Sequence, residues 1–438
     1  QVQIFGSDGF RCKFGEKFMT PKFIYDFANS IGDFCISNGL SAPVLIARDT
    51  RASGVILEDL ISGILCYKGI RVVLCGVLPT PGLSTVIGSG EYSIGIMITA
   101  SHNPHFDNGI KLFNSNGFKL QQADDAEIES GILNPKEMNF IGDYGFDSKT
   151  SINSCQIYSD SILSKFQSIK LKESILVDCS NGACSEIVQD SLGFYDNIHF
   201  VNSKPNGFNI NLDCGALEGE KLLKLVRDGG YQYGVAFDGD GDRSVFVSAD
   251  YGLIQSEKLL YLFCQILKSP NCSNIVVTTE ICNLALAHNL EAIGVSLIET
   301  EVGDRFVTEE VGVSNAILGG EPSGHYYFPA SGKSMDGFLG LMHFIKILER
   351  YGSELTDTLQ NLKHYNRVTK NICIKDKGFI DLTLLKEQLS SEINSAEEKL
   401  VIRQSIWDPV LRIYYDYMDV NRFVELERYI NETLSKEG

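Results

Sequence analysis

Three times along this chain a short apolar run ends in a tight turn, passes into a helical stretch and returns as a second apolar run. Residues 44–47 lead through the polar loop Arg48-Asp49-Thr50-Arg51-Ala52-Ser53-Gly54 to a helical pattern at 55–68 and a strand at 72–75. Residues 174–178 lead through Cys179-Ser180-Asn181-Gly182-Ala183 to a helix at 185–192 and a strand at 198–201. Residues 275–278 lead to a helix at 281–290 and a strand at 295–299. Such units require parallel strand neighbours, with helices covering the sheet. The repetition is one of pattern, and its period is too long for a solenoid. A polar, acidic stretch at 134–154 separates the first unit from the second, and turns near Asp250-Tyr251-Gly252 and Tyr365-Asn366-Arg367 close the second and third. The remainder shows strands at 371–374, 400–402 and 411–415 and helices at 382–389 and from about 420. The expected fold class is α/β: three α/β domains of related topology with mixed sheets (1–150, 151–250, 251–366) and a smaller C-terminal α+β domain (367–438).

A chain of 438 residues is long enough for several such domains. The net charge of -18 argues against nucleic acid or an anionic membrane surface as a partner. An anionic substrate must then be drawn in by local Arg and Lys clusters. No apolar run approaches the ~20 residues of a membrane span, and the first residues lack the pattern of a signal peptide. The twelve cysteines are scattered, without Cys-x-x-Cys, and several lie inside apolar runs. A structural zinc site is not expected, and the pattern fits a reducing cytoplasm.

Four loops, with two shorter stretches beside them, carry the candidate chemistry. The apolar run at 93–98 enters Thr99-Ala100-Ser101-His102-Asn103-Pro104, where Asn-Pro forces a turn and Lys111 follows. A serine held there by a rigid turn suits a nucleophile or a phosphate carrier. Earlier, Gly6-Ser7-Asp8-Gly9-Phe10-Arg11 is a tight turn presenting a guanidinium. Between two apolar runs, Asp238-Gly239-Asp240-Gly241-Asp242-Arg243 alternates carboxylates with glycines. Alternate residues of an extended segment point the same way, so the three acids can converge on a hard divalent cation. A calcium hand does not fit: its sixth and twelfth places hold Arg243 and Ala249. Three carboxylates leave room for a phosphate oxygen on the metal, as is usual for Mg²⁺, and Arg243 could pair with that phosphate. Gly319-Gly320-Glu321-Pro322-Ser323-Gly324-His325 offers an acid and a hydroxyl for sugar hydroxyls and an imidazole for proton exchange. Val302-Gly303-Asp304-Arg305 is a further contact loop. Arg403-Gln404-Ser405-Ile406-Trp407-Asp408-Pro409-Val410-Leu411-Arg412 could grip a phosphate.

The loops at Ser101, Asp238, Glu321 and Arg403, in that order, resemble those of the α-D-phosphohexomutase superfamily, over the whole chain. In detail the chain is most similar to the bacterial phosphoglucosamine mutases, through Phe5 to Arg11, Pro205 to Asn211 and Val302 to Val307. The resemblance implies four domains around a central cleft. It implies a phosphoserine at Ser101, and one Mg²⁺ held by Asp238, Asp240 and Asp242 with Ser101. Glu321 and Ser323 match residues that hold sugar hydroxyls, and Arg403 and Ser405 those that hold the substrate phosphate. Gly303 and Asp304 are expected to contact substrate. Lys111, His325 and Arg11 match positions that assist proton transfer and orient the phosphoserine, with Arg243 beside them. Lys111 could act as a base only with a lowered pKa, which nearby cations would supply. The fourth loop departs from the family pattern at Ile406 and Trp407, where Gly and Thr are usual, and Trp407 is expected near the bound phosphate.

The implied activity is an intramolecular phosphoryl transfer between hexose 6-phosphate and 1-phosphate, with a hexose 1,6-bisphosphate as intermediate and activator. Glucosamine 6-phosphate is the first candidate substrate, and mannose or glucose phosphates are the second. A weakly active sugar-phosphate-binding phosphoprotein and a metal-dependent phosphatase are rival readings. The expected protein is a cytoplasmic monomer or homodimer.

Overall fold

The structure is a computed structural model that describes residues 3–6, 8–137, 149–166, 169–270, 272–373, 393, 396–404, 410–418, 421, 422, 424 and 428. The first unit comprises β1 (Phe10–Lys13), α1 (Pro21–Ser37), β2 (Val44–Arg48), α2 (Ala52–Tyr67), β3 (Val72–Val77), α3 (Thr80–Ser89), β4 (Ile94–Ile98), β5 (Asp107–Asn114), α4 (Gln122–Leu133) and β6 (Lys149–Ser151). The second comprises α5 (Ser154–Leu163), β7 (Ile175–Asp178), α6 (Cys184–Leu192), β8 (Ile198–Val201), α7 (Gly219–Asp228), β9 (Tyr233–Phe237), β10 (Ser244–Ser248) and β11 (Gly252–Ile254). The third comprises α8 (Ser256–Leu267), β12 (Ile275–Thr279), α9 (Ala285–Glu291), β13 (Ser296–Thr300), α10 (Asp304–Ser314), β14 (Leu318–Gly320), β15 (Tyr326–Tyr327), α11 (Gly337–Tyr351) and α12 (Leu355–Asn361). A last sheet holds β16 (Asn366–Cys373), β17 (Lys399–Gln404) and β18 (Val410–Tyr417). The helices expected at 382–389 and from about 420 fall largely outside the described residues.

The first three sheets share one four-strand order: β5-β4-β2-β3, β10-β9-β7-β8 and β15-β14-β12-β13. In each, one inner strand (β2, β7 or β12) runs parallel to neighbours on both sides. The outer of these neighbours turns back as an antiparallel hairpin. The hairpin loops are 99–106, 238–243 and 321–325, three of the loops that the sequence singles out. Open sheets of this type place ligands beyond the carboxyl ends of their strands, and the three hairpins leave from those ends. The expected break at 250/251 falls inside the β10–β11 pairing, so the second sheet runs on to Ile254. The break at 150/151 falls inside β6, which pairs with β3.

Helix starts follow local chemistry. Thr20 Oγ1 accepts from Phe23 N–H ahead of Pro21, and Asp336 accepts from Leu339 N–H at 2.9 Å to open α11. β4 is buried along its whole length, because helices cover both faces of its sheet. One apolar core runs continuously through the first three units, from Leu45 and Val73 through Val177 and Phe237 to Val276 and Phe338. On the other face of the first sheet, Phe10 is ringed edge-on by Phe5, Phe18, Phe23 and Phe27 at 5.3–6.0 Å. That packing fixes the strand that carries Arg11.

The C-terminal sheet docks on the loop after β12. Arg367 grips Asp416 with Nε at 2.6 Å and Nη2 at 2.8 Å, and Leu284 N–H donates to the same carboxylate at 2.9 Å. Lys399 donates to the Cys282 carbonyl at 2.9 Å. Asp416→Ala should lower stability by about 2–3 kcal/mol. That is short of the ~3–5 kcal/mol of a fully buried pair because Arg367 keeps 23% exposure. Urea unfolding followed by circular dichroism checks this, and a shift below about 0.5 kcal/mol would show that the pair does not anchor the sheet.

Candidate active site

The Ser101 loop is built from backbone outward. Ser101 is fully buried with φ +50°, a left-handed conformation that is rare for a residue with a side chain and costs on the order of 1–3 kcal/mol. Its N–H donates to Thr99 Oγ1 at 2.9 Å. Its carbonyl accepts from Arg51 Nη2 at 2.9 Å and Asn211 Nδ2 at 2.9 Å. Arg51, wholly buried, also donates to the carbonyls of Asn103 at 3.0 Å and Pro104 at 2.7 Å, and its Nε pairs with Asp49 at 2.9 Å. A rigid guanidinium fork thus holds three carbonyls of one loop.

The metal loop meets this serine directly. Ser101 Oγ donates to Asp238 Oδ2 at 2.6 Å. Oxygens of Asp238, Asp240 and Asp242 lie within 4.8 Å of one another, all buried. The approach depends on glycine: a Cβ on Gly239 would stand 2.6 Å from the Ser101 carbonyl oxygen, and Gly241 has φ +72°. Burial, then Asp242 and Asp240, push the Asp238 carboxyl well above its ordinary range. Asp240 Oδ1 is buried without a hydrogen-bond partner. An orphaned carboxylate oxygen beside an acid that resists ionisation fits a divalent cation.

Cations line the other side. The β1–β5 register sets Arg11 opposite Gly109, so Arg11 and Lys111 share one face of the sheet. Lys111 Nζ lies 2.8 Å from Asp240 Oδ2, 2.8 Å from Asp242 Oδ2 and 3.3 Å from Asp8. The expected lowering of Lys111 is reversed. Burial pulls its pKa down, but Asp240, Asp242 and Asp8 more than offset this and hold it well above the ordinary value. Arg11 does oppose the charge on Lys111, but the three acids outweigh it. Asp8 is clamped by Arg11, Lys119 and Lys111, whose charges outweigh its burial and hold its carboxyl low.

The sugar-loop candidate joins the same cluster. Arg243 and His325 form a backbone bridge, and Ser244 N–H donates to the Gly324 carbonyl at 3.0 Å. His325 Nδ1 lies 2.7 Å from Glu321 Oε2 and 3.1 Å from Ser323 Oγ. Glu321 is held low despite burial, so its oxygen accepts and Nδ1 carries the proton. Nε2 faces Asp242 Oδ1 at 3.2 Å and Arg243 Nε at 3.1 Å, two neighbours that ask for opposite states. Burial pulls the imidazole down and Arg243 opposes its charge, yet Asp242 and Glu321 push it up to about 10. Two carboxylates outweigh one guanidinium, so we assign the imidazolium and read the Arg243 contact as close approach. Arg243 Nε also lies 3.8 Å from Asp238 and 3.9 Å from Asp242.

Not every residue singled out in the sequence joins this cluster. Asp304, beside Gly303, pairs with Lys119 at 2.5 Å. Arg403 pairs with Glu280 at 3.3 Å. Ser405, Ile406, Trp407, Asp408 and Pro409 lie outside the described residues. Sequence reading passed over Arg51, Asn211, Asp8, Lys119 and Thr80, whose hydroxyl donates to Asp240 Oδ2. Asp8 and Asn211 sit within stretches already quoted, and Arg51 stands in the turn after β2. Their reach to other loops is a tertiary fact.

Comparisons with known proteins follow the same lines. Residues 2–139 match the phosphoglucomutase/phosphomannomutase alpha/beta/alpha domain I, and residues 255–365 match its domain III. The phosphoglucosamine mutase of Solibacter usitatus is 30% identical over 441 residues, covering 99% of this chain and 98% of that one. The chain belongs to the phosphoglucosamine mutase family. It is thereby one of the phosphohexomutases, which are isomerases. The phosphoglucosamine mutase of Lactobacillus delbrueckii subsp. bulgaricus is 35% identical over 394 residues, covering 86% of this chain and 85% of that one. The fold is shared with a phosphoglucomutase/phosphomannomutase family protein of Burkholderia thailandensis, with TM-score 0.82 and 21% identity over 99% of this chain and 97% of that one. It is also shared with Aspergillus fumigatus N-acetylphosphoglucosamine mutase, solved with GlcNAc-6P and magnesium, with TM-score 0.63 and 14% identity over 100% and 96%. Among the described residues, no helix of this phosphoglucosamine mutase family member is long and apolar enough to cross a membrane.

Two outcomes are expected. Arg51→Lys cannot reproduce the three-carbonyl fork, so it should cost about 1–3 kcal/mol and lower turnover at least tenfold. Thermal unfolding and kcat check this together. A divalent cation at about 100 times its Kd should stabilise the protein by about 2.7 kcal/mol, an effect that Asp240→Asn should abolish. Calorimetric melting with and without chelator reads it, and an unchanged melting temperature would count against a metal at the triad.

Proposed function

We propose that this chain interconverts glucosamine 6-phosphate and glucosamine 1-phosphate through a phosphoserine at Ser101. The observation that carries this is the 2.6 Å contact of Ser101 Oγ with Asp238 at the mouth of the carboxylate triad. Asp238, Asp240 and Asp242, with a phosphoryl oxygen on Ser101, would hold one Mg²⁺. When bound, the ion offsets the charge of the transferring phosphoryl group.

The chain's own residues do the rest. Arg51, Asn211 and Thr99 hold the serine in its strained conformation. The free hydroxyl of the sugar phosphate attacks the phosphorus on Ser101 Oγ. A new O–P bond forms, the Oγ–P bond breaks, and the sugar leaves with two phosphates. After turnover in the cleft the other phosphoryl group returns to Ser101. Arg11, Arg243 and Lys111 stabilise the transferring charge. Lys111 and His325 are the proton-transfer pair. Each is held charged here by acidic neighbours, so each must first surrender its proton to act as base. Glu321 and Ser323 hold sugar hydroxyls, Gly303 and Asp304 line the substrate site, and Arg403 with Ser405 holds the non-reacting phosphate. A hexose 1,6-bisphosphate serves as activator.

The matches to domains I and III of the phosphoglucomutase/phosphomannomutase family favour a second reading, turnover of mannose or glucose phosphates. A panel of glucosamine, mannose and glucose phosphates, each assayed with bisphosphate, separates the two. Ser101→Ala should lower kcat by at least ~10³-fold on whichever sugar is used. Turnover by that variant at the wild-type rate would sink the phosphoserine mechanism. Steady release of inorganic phosphate would point to a phosphatase instead, and tight binding with near-zero turnover to a phosphoprotein.

A further inference from the structure

We propose that Asp304 is the residue that selects an amino sugar, by taking the sugar ammonium in exchange for the ammonium of Lys119. The inference rests on the reading of the chain as an amino-sugar phosphate mutase. Asp304 is the first residue of α10 and is buried. Its Oδ2 lies 2.5 Å from Lys119 Nζ, and Lys119 also reaches Asp8. Asp8 touches Lys111, which touches Asp240 and Asp242, so Asp304 ends a chain of alternating charges that starts at the triad. Asp304 follows the carboxyl end of β13 and the sugar loop that of β14, two strands parallel to β12 in one sheet, so both lie at the same edge of it. Arg305, next in sequence, is tied to Asp125 at 2.6 Å and holds the start of α10 against α4.

The other acids of the cleft are committed. Asp238, Asp240 and Asp242 form the triad, Glu321 holds His325, and Asp8 has three cations. Among the described residues Asp304 has one ionic partner, and that partner is a primary ammonium. The 2-ammonium of glucosamine phosphate carries the same charge and the same three donors. A displaced Lys119 keeps Asp8 as its anion. An amino sugar thus replaces one ammonium by another at Asp304 without stranding a charge. A hexose phosphate with a hydroxyl at that carbon displaces Lys119 but leaves Asp304 buried without a cation, which is the kind of defect that discriminates strongly.

The test is steady-state kinetics on glucosamine 6-phosphate and glucose 6-phosphate, each with its bisphosphate, for wild type, Asp304→Asn and Asp304→Ser. Thermal unfolding is recorded for each variant. The expected result is a fall of at least 30-fold in kcat/KM on glucosamine 6-phosphate, mostly in KM, with a rise in kcat/KM on glucose 6-phosphate, because the carboxylate that this sugar leaves without a cation is gone. In wild type, KM for the amino sugar should rise as pH passes the amine's own pKa, and this rise should vanish in Asp304→Asn. An equal loss on both sugars, or an unchanged ratio, overturns the assignment to Asp304 while leaving wild-type activity on glucosamine phosphate intact. Wild type inert on glucosamine phosphate yet active on glucose or mannose phosphate overturns the amino-sugar reading itself, and this inference with it.

Discussion

Three buried carboxylates and the part-exposed Asp8 crowd one space in this protein, and most of the surrounding architecture answers to that. Asp8, Asp238, Asp240 and Asp242 would repel one another in a medium of low dielectric. Lys111 sits among them, in contact with Asp8, Asp240 and Asp242, and Arg11, Arg243 and His325 surround the group. The compensation is uneven. Asp242 stays ionised against its cations, while Asp238 is driven toward its protonated form and Asp240 keeps an oxygen without a partner. An arrangement balanced for some acids and not for others has room for one more positive group.

Geometry for this comes from repetition. Each of the first three units spends the same hairpin, between its outer parallel strand and the returning antiparallel one, on one part of the chemistry. The first carries the hydroxyl, the second the acids and the third the imidazole and glutamate. Because the units share one continuous core, three loops 140 and 80 or so residues apart in sequence meet as one site. Arg243 and His325 are even joined by backbone pairing, which ties the second hairpin to the third.

Much of this was legible before folding. Strand positions are sharp wherever a short apolar run is bounded by turn residues, as at Ile198–Val201 and Tyr233–Phe237. The convergence of Asp238, Asp240 and Asp242 follows from alternation along an extended turn. Helices were less visible: α7 and α8 have apolar faces but no side-chain cap, and α1 and α11 are marked only by their caps at Thr20-Pro21 and Asp336. The unit boundaries moved because β11 and β6 pair into sheets they follow in sequence, a matter of partners more than of local propensity. Trp407 and its loop, the clearest departure from the family pattern, lie beyond what the structure describes.

The amino-acid sequence by itself determined the fold class, the serine, the acid triad and the order of the loops. Each of these depends on spacing along a few residues, where chain geometry leaves little choice. Tertiary structure decided which charges face one another. It placed three acids around Lys111, set Arg51 and Asn211 on the carbonyls of the serine loop, and paired Asp304 with Lys119 from another unit. Those contacts span tens to hundreds of residues. Whether a lysine is held charged, or a carboxylate neutral, depends on neighbours that no local pattern encodes.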